Sequence, residues 1–368
     1  MNLPSEQFAA LDSSANSQSP LGLGPRRALY IDNPVFTQDA FGTAHPLSIP
    51  RTQTVAELCR ALDWLPDDVL ITSTPASIST LERFHDKDYV AALRDADITG
   101  RCTTGDRARY NFGTMENPLF PGIFERAATT VGGSIRAAEL ALAGHLVFHP
   151  AGGTHHGQSG RASGFCYFND PVFAILTLLD AGLERVVYAD IDAHHGDGVE
   201  AAFESDDRVH TLSLHEAGRW PYSGQKNRNT RMCNLLLAKN CDDLAFESTM
   251  HAHALPFVAQ ADPEAVVITC GADALAGDPL SSMNLSNSVL WHAVEQLSAA
   301  AKVVVILGGG GYNPWTLARC WAGLWARLAG FDIPAVLPNS AQEILTRLEC
   351  DLVDDEDLNR NWLTRIED

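Results

Sequence analysis

Four short apolar runs, HLVFHP from His145, RVVYADID from Arg185, AVVITCGAD from Ala265 and VVVILGGGGY from Val303, constrain this chain more than any other feature. Each is rich in β-branched residues and too short for a buried helix, so each is expected as a strand covered on both faces. Strands of that kind belong to parallel sheets, whose crossovers are usually helices. The intervening chain supplies them. A segment from Pro50 has proline near its start and helical apolar spacing, Pro121 to Gly144 reads as a long small-residue helix, and helical patterns recur over Asp170–Ala181, Asp243–Ala261, Ser286–Ala301 and Pro314–Ala329. With ALYID at Ala28 and VHTLSLH at Val209 as further strands, the alternation predicts a single α/β domain built on one parallel sheet with helices on both faces.

In an open α/β sheet the ligand crevice lies outside the carboxyl ends of the strands. All four runs stop there at a polar or glycine-rich cluster, and the stops carry His155 and His156, then Asp190, Asp192, His194 and Asp197, then Asp273, then Tyr312. Those groups are expected to converge. The loops at the strand ends, Gly152 to Gly164 and His215 to Arg231, are long and hold Gly, Ser, Pro and aromatic residues, the composition of pocket walls. Asn111 to Pro121, with Met115, Glu116 and Phe120, is a candidate third wall.

Asp192 and His194 lie two apart, on one side of an extended segment, so a carboxylate and an imidazole can grip one divalent ion, with Asp273 as third ligand. Three ligands leave positions open for water and a carbonyl oxygen, which metal-assisted hydrolysis needs. A lone D-x-D is ordinarily a solvated turn; here HHGDG follows it and a second His pair lies upstream. His155 and His156 are adjacent, their side chains diverge, and they suit proton transfer better than shared ligation. Asp190 and Asp197 are the carboxylates available to fix their tautomers. GGGGY lacks the spacing of a dinucleotide fingerprint, and no acidic residue sits about 20 residues on at a strand end. Its glycines let the backbone line a narrow channel, and the Tyr312 hydroxyl can donate to a developing oxyanion.

A formal charge of −20 over 368 residues argues against nucleic acid as a direct partner and favours cationic substrates, although acidity also serves solubility alone. No run approaches the roughly 18 apolar residues that span a membrane. Eight cysteines without C-x-x-C spacing read as reduced thiols, hence a cytoplasmic protein. Residues 1–26, rich in Ser, Gly and Pro and lacking the basic start and apolar core of a signal peptide, are expected as a flexible tail before one domain over 27–368.

The segments PAGGTHHGQSGRASGFCYFND, DIDAHHGDGVEAAF, LSLH, CGADALAGDPL and GGGGYN, in this order, resemble the metal-dependent histone deacetylase family of the arginase/deacetylase fold. The similarity runs from about Ala28 to Ala329. It implies zinc, or ferrous iron in its place, on Asp192, His194 and Asp273, and a catalytic pair His155 and His156 with Asp190 and Asp197 behind them. It also implies that Tyr312 polarises the substrate carbonyl, and that Gly164, Phe165, Trp220, Leu280 and Gly310 belong to an acyl-lysine channel. Structural potassium is implied at Asp190, Asp192, His194, Ser213 and Leu214, with a second ion at Phe203, Asp206 and Val209. Arg51 resembles the arginine of an exit cavity behind the metal, and a homo-oligomer is open to such a chain.

The sequence departs from the nuclear members at the rim. The loop after His215 is short, and GTMENP lacks an obvious match to their substrate-gripping Asp, leaving Glu116 as its replacement. Polyamine-selective relatives tend to carry an acidic residue after the GDP triplet; here it is Leu280, which favours acyl-lysine in a peptide or protein over an acetylated polyamine. An arginase-like ureohydrolase and a non-catalytic acyl-lysine binder are the remaining alternatives.

Overall fold

The computed structural model describes residues 26–38, 41–42, 45–354 and 356–368. Eight strands form one sheet: β1 (Ala28–Asp32), β2 (Leu70–Thr72), β3 (Leu146–His149), β4 (Val186–Asp190), β5 (Val209–Glu216), β6 (Met232–Leu237), β7 (Ala265–Thr269) and β8 (Val303–Leu307). Their spatial order is β2-β1-β3-β8-β7-β4-β5-β6, and every pair is parallel. The four apolar runs are therefore the four central strands, β3, β8, β7 and β4.

Alternation along the strands divides the interior in two, because successive side chains point to opposite faces. Val187, Ala189, Val266, Ile268, Val304 and Ile306 pack with helices Thr52–Ala61, Asn287–Ser298 and Pro314–Ala329. On the other face, Val186, Tyr188, Val267, Val305 and Leu307 meet helices Ile123–Leu142 and Asp170–Asp180. Helix Pro314–Ala329 starts where Asn313 accepts hydrogen bonds from the Trp315 and Thr316 amides and stops at left-handed Gly330. It buries Trp321 completely, and the indole N–H donates 3.0 Å to the Cys270 carbonyl just past β7. Removing an indole like this costs about 3–5 kcal/mol, and here it would also loosen the turn that delivers Asp273.

Some expectations change in detail. Asp243–Ala261 is helical but passes through a wider turn at Met250–Ala254, which ends two residues before Pro256, whose ring nitrogen has no N–H for the Ala252 carbonyl. The loop expected from His215 starts later, since β5 continues through Glu216. The edge strands β2 and β6 are additions, as are helices Lys87–Thr99, Thr104–Tyr110 and Asn339–Thr346. Apart from Arg26, the expected tail over 1–26 lies outside the described residues.

Candidate active site

Parallel register aligns the strand ends: Asp190 closes β4 opposite Thr269 of β7 and Ser213 of β5, and Thr269 lies opposite Leu307 of β8. Just beyond them, Asp192, His194 and Asp273 present ligand atoms all within 4.8 Å of one another, and all three residues are buried. His194 Nδ1 lies 2.8 Å from Asp273 Oδ2 and 3.3 Å from Asp192 Oδ1. Backbone amides hold the outer oxygens: Gly310 N–H donates 2.6 Å to Asp192 Oδ2, and Ala193 N–H donates 3.0 Å to Asp273 Oδ1. Gly310 cannot be larger, since a Cβ there would sit 2.0 Å from Asp273 Oδ2.

Two carboxylates and an imidazole without solvent make a cation trap. Burial opposes charge on His194, but Asp192 and Asp273 outweigh it and raise its pKa well above the ordinary value. Burial, with Asp192 beside it, raises Asp273 in turn. The cluster thus calls for a positive charge that a proton on His194 supplies only in part, and a divalent ion with nitrogen and oxygen preference fits the donor set.

The two histidines sit with ring centroids 4.0 Å apart, yet in different company. His155 Nδ1 donates 2.6 Å to Asp190 Oδ2, and His156 Nδ1 donates 2.7 Å to Asp197 Oδ1. For His155 the penalty of burial is overcome by Asp190 and Asp192, and its pKa rises to about 9. For His156 burial dominates, the His155 charge adds to it, and the pKa falls to about 4 despite Asp197. Environments that push two titratable groups apart suit one to hold a proton and the other to accept one.

Tyr312 is buried, its pKa raised well above the usual by burial first and then by Asp273. Its amide donates 2.7 Å to Asp278 Oδ2, and the Leu280 amide donates 2.9 Å to Asp278 Oδ1, so one carboxylate sets both the phenol and a wall of the approach. That approach is a cavity of about 670 Å³ lined by His156, Gly164, Phe165, His194, Trp220, Leu280 and Tyr312. Gly164 has φ +53°, and a Cβ on it would lie 2.4 Å from the Trp220 ring. Gly310 lies deeper, in a small inner cavity of about 50 Å³ that also touches Arg51 and His155. Arg51 continues into a rear cavity of about 370 Å³, and its guanidinium donates to the Gly309 carbonyl.

Glu116 reaches the mouth, but its carboxylate is engaged: Oε1 accepts from the Gly164 amide at 2.8 Å and Oε2 from Asn111 Nδ2 at 2.9 Å. It fastens the channel loop to the Asn111 segment, which differs from the substrate-gripping role expected of it. Of the positions expected to hold potassium, Asp190 and Ser213 are register partners that bring oxygens together, Asp192 and His194 have their side chains in the candidate metal cluster, and Leu214 adjoins Ser213. The set Phe203, Asp206 and Val209 fits a second ion poorly. The Asp206 carbonyl already accepts from Val209 N–H at 3.2 Å and Arg231 Nη1 at 2.9 Å, the Asp206 carboxylate is forked by Arg208, and Phe203 O accepts from Asp206 N–H at 3.1 Å. A guanidinium already supplies the positive charge at that turn.

Supporting residues went unnoticed in the sequence. Tyr188 donates 2.7 Å to Asp190 Oδ2 and could have been found, because it precedes Asp190 by two on one strand and shares its face. Gln158, donating 3.1 Å to Asp197 Oδ2, and Asp278 carry no such signal.

A family model described as the histone deacetylase domain matches residues 45–328. This chain belongs to the histone deacetylase family. Members of the family are hydrolases acting on acetylated amides, and they are typically metal-dependent. It is 31% identical to the acetoin utilization protein AcuC of Bacillus subtilis, over 83% of each chain. It is 36% identical to histone deacetylase 1 of Oryza sativa subsp. japonica over 85% of this chain, and that match spans 62% of the rice protein. The crystal structure of a histone deacetylase homologue from Aquifex aeolicus superposes with a TM-score of 0.88 at 32% identity, covering 93% of this chain and 95% of the other. The parallel sheet with helices on both faces is thus the deacetylase family's fold.

Proposed function

We propose that this chain hydrolyses the amide of an acetylated lysine side chain in a peptide or protein, at one divalent ion, zinc or ferrous iron, held by Asp192, His194 and Asp273. The observation that carries this reading is the closed trap of two carboxylates and one imidazole at the floor of a channel with a His pair on one side and Tyr312 on the other. When bound, the ion supplies Lewis acidity, polarising the amide carbonyl and acidifying water. His156, neutral and facing the channel, has Nδ1 committed to Asp197, so its other ring nitrogen is free to take the proton from the attacking water. His155, held charged by Asp190, steadies negative charge developing beside it and can return a proton to the leaving amine. The Tyr312 hydroxyl donates to the oxygen of the carbonyl as it becomes an oxyanion. Gly164, Phe165, Trp220 and Leu280 take the apolar stem of the lysine, and Arg51 faces the side from which a small carboxylate product can leave.

The catalytic unit on this reading is residues 27–368. One potassium ion at Asp190 and Ser213 is part of it. All eight cysteines are free, which suits a reducing cytoplasm. Among the described residues no helix is long and apolar enough to cross a membrane. An arginase-like site would need ligands for two ions, and among the described residues one cluster with metal-ligand spacing is found. Acetate release from acetyl-lysine peptides and acetylated polyamines, with and without chelator, tests the proposal. Chelator-sensitive turnover of the peptides is expected, and metal-loaded protein that binds them but liberates no acetate would reduce the chain to a binding module.

A further inference from the structure

Four charged side chains line the channel mouth: Glu116, Glu216, Arg219 and Lys239. Two of them pair with each other, and a third spends its oxygens on neutral donors. Glu116 is held by Gly164 and Asn111, as described above. Buried Glu216 takes both Arg219 Nε at 2.9 Å and Arg219 Nη2 at 2.8 Å, and also accepts from the Ser282 amide at 2.7 Å. Arg219 completes its fork on Ser282 Oγ at 2.7 Å. Lys239, two residues past β6, is exposed and has no ion-pair partner among the described residues. Glu116 keeps its negative charge but has both oxygens bonded, so Lys239 is the charged group at the mouth whose donors are all unspent among the described residues, in a chain whose net charge is −20.

Resting on the deacetylase reading, we infer that Lys239 is a specificity-determining residue that selects acyl-lysine substrates carrying an anionic group beside the acylated side chain, such as flanking Asp or Glu, and that it disfavours cationic acylated polyamines. The overall acidity alone would favour a cation. At physiological salt, however, exposed charges more than about 8 Å away are largely screened, so the ammonium at the mouth outweighs distant carboxylates. Lys239 does not touch the reacting atoms, so its effect falls on KM and leaves kcat unchanged. An exposed pair of this kind is worth a factor of about two to five, and replacing attraction by repulsion widens the gap to about tenfold at most.

The test uses the full metal-loaded chain and three acetyl-lysine peptides that differ only in carrying Asp, Asn or Arg on both sides of the lysine, with an N-acetylated diamine as fourth substrate. The native chain is expected to show the lowest KM for the Asp peptide and the highest for the Arg peptide. Lys239→Glu should reverse that order at unchanged kcat on the Asn peptide, and Lys239→Ala should flatten it. Raising ionic strength should shrink the native preference. An order that survives Lys239→Glu intact, with both proteins turning over the Asn peptide, overturns the inference while leaving the deacetylase reading standing. Absence of acetate release by the native metal-loaded chain from every peptide overturns that reading, and the inference with it.

Discussion

The floor and the mouth of the channel are built from similar residue types under opposite conditions. On the floor Asp190, Asp192 and Asp273 are fully buried, and each oxygen is aimed by a backbone amide, a phenol or an imidazole. At the mouth Glu116, Arg219 and Trp220 are partly exposed, and the charged groups hold loops to one another. Desolvation turns small rearrangements on the floor into large energies, whereas water screens the mouth. Substitutions on the floor should therefore act on chemistry, and substitutions at the mouth on binding.

The largest effect is expected from Asp273→Ala. It removes one of three ligands, so the chain should lose bound metal, measured by elemental analysis, and turnover should fall more than about a thousandfold. Because it also relieves repulsion between two buried carboxylates, the metal-free variant should unfold no earlier in urea than the metal-free native chain. A variant that retains both metal and turnover would place the ion elsewhere. Tyr312→Phe comes next. Loss of one preorganised donor typically costs about 10²–10³ in kcat, and metal content should not change, since Tyr312 lies outside the cluster of ligand atoms. A near-native rate would remove the phenol from the chemistry.

The wall behind the floor sets an acid limit on stability. His85 is nearly fully buried among aromatic rings; its Nδ1 donates 3.1 Å to the Gln158 carbonyl, and its Nε2 accepts from the Asn169 amide at 3.1 Å. Asn169 in turn donates to the carbonyls of His155 and Gly157. Burial lowers the His85 pKa to about 4, against about 6.5 in an unfolded chain. Above pH 6.5 neither state is protonated there and stability is complete. As pH falls from 6.5 towards 4 the unfolded chain gains a proton that the native chain excludes, and about 3 kcal/mol is lost. Urea unfolding across that window should show the decline, and His85→Gln should lessen its slope even if the variant is less stable overall. An unchanged slope would assign the acid sensitivity to other buried histidines, such as His149.

The same contrast explains what could be read from the sequence. The central strands were legible because burial on both faces demands unbroken β-branched runs, and the floor was legible because its residues lie where those runs end. Edge strands β2 and β6 escaped, since Leu70–Thr72 is only three residues long and Met232–Leu237 is half covered and lacks clean alternation. Asp278 and Gln158 escaped because their partners, Tyr312 and Asp197, lie tens of residues away in sequence, and no spacing rule joins them. The role of Glu116 could be placed at the rim from the sequence but not assigned, because its hydrogen bond to the Gly164 amide exists only after the two loops meet.

Glu116→Gln gives the smallest expected effect and separates a strut from a grip. Glutamine keeps a carbonyl oxygen for the Gly164 amide and loses the second acceptor facing Asn111, whose amide also donates 3.0 Å to the Ala162 carbonyl and so is not stranded. Losing one partly exposed hydrogen bond of this kind costs about 1 kcal/mol of stability. A carboxylate that serves only to hold the loop should leave kcat and KM for an acetyl-lysine peptide within about threefold of native. A carboxylate that grips the substrate backbone makes charge-assisted bonds worth about 1.5–3 kcal/mol, and its loss would raise KM tenfold or more while leaving the unfolding midpoint in place. Measuring both quantities on this one variant decides whether the mouth holds substrate by its acid, as the nuclear members' Asp suggested, or leaves recognition to the channel walls and the uncommitted ammonium of Lys239.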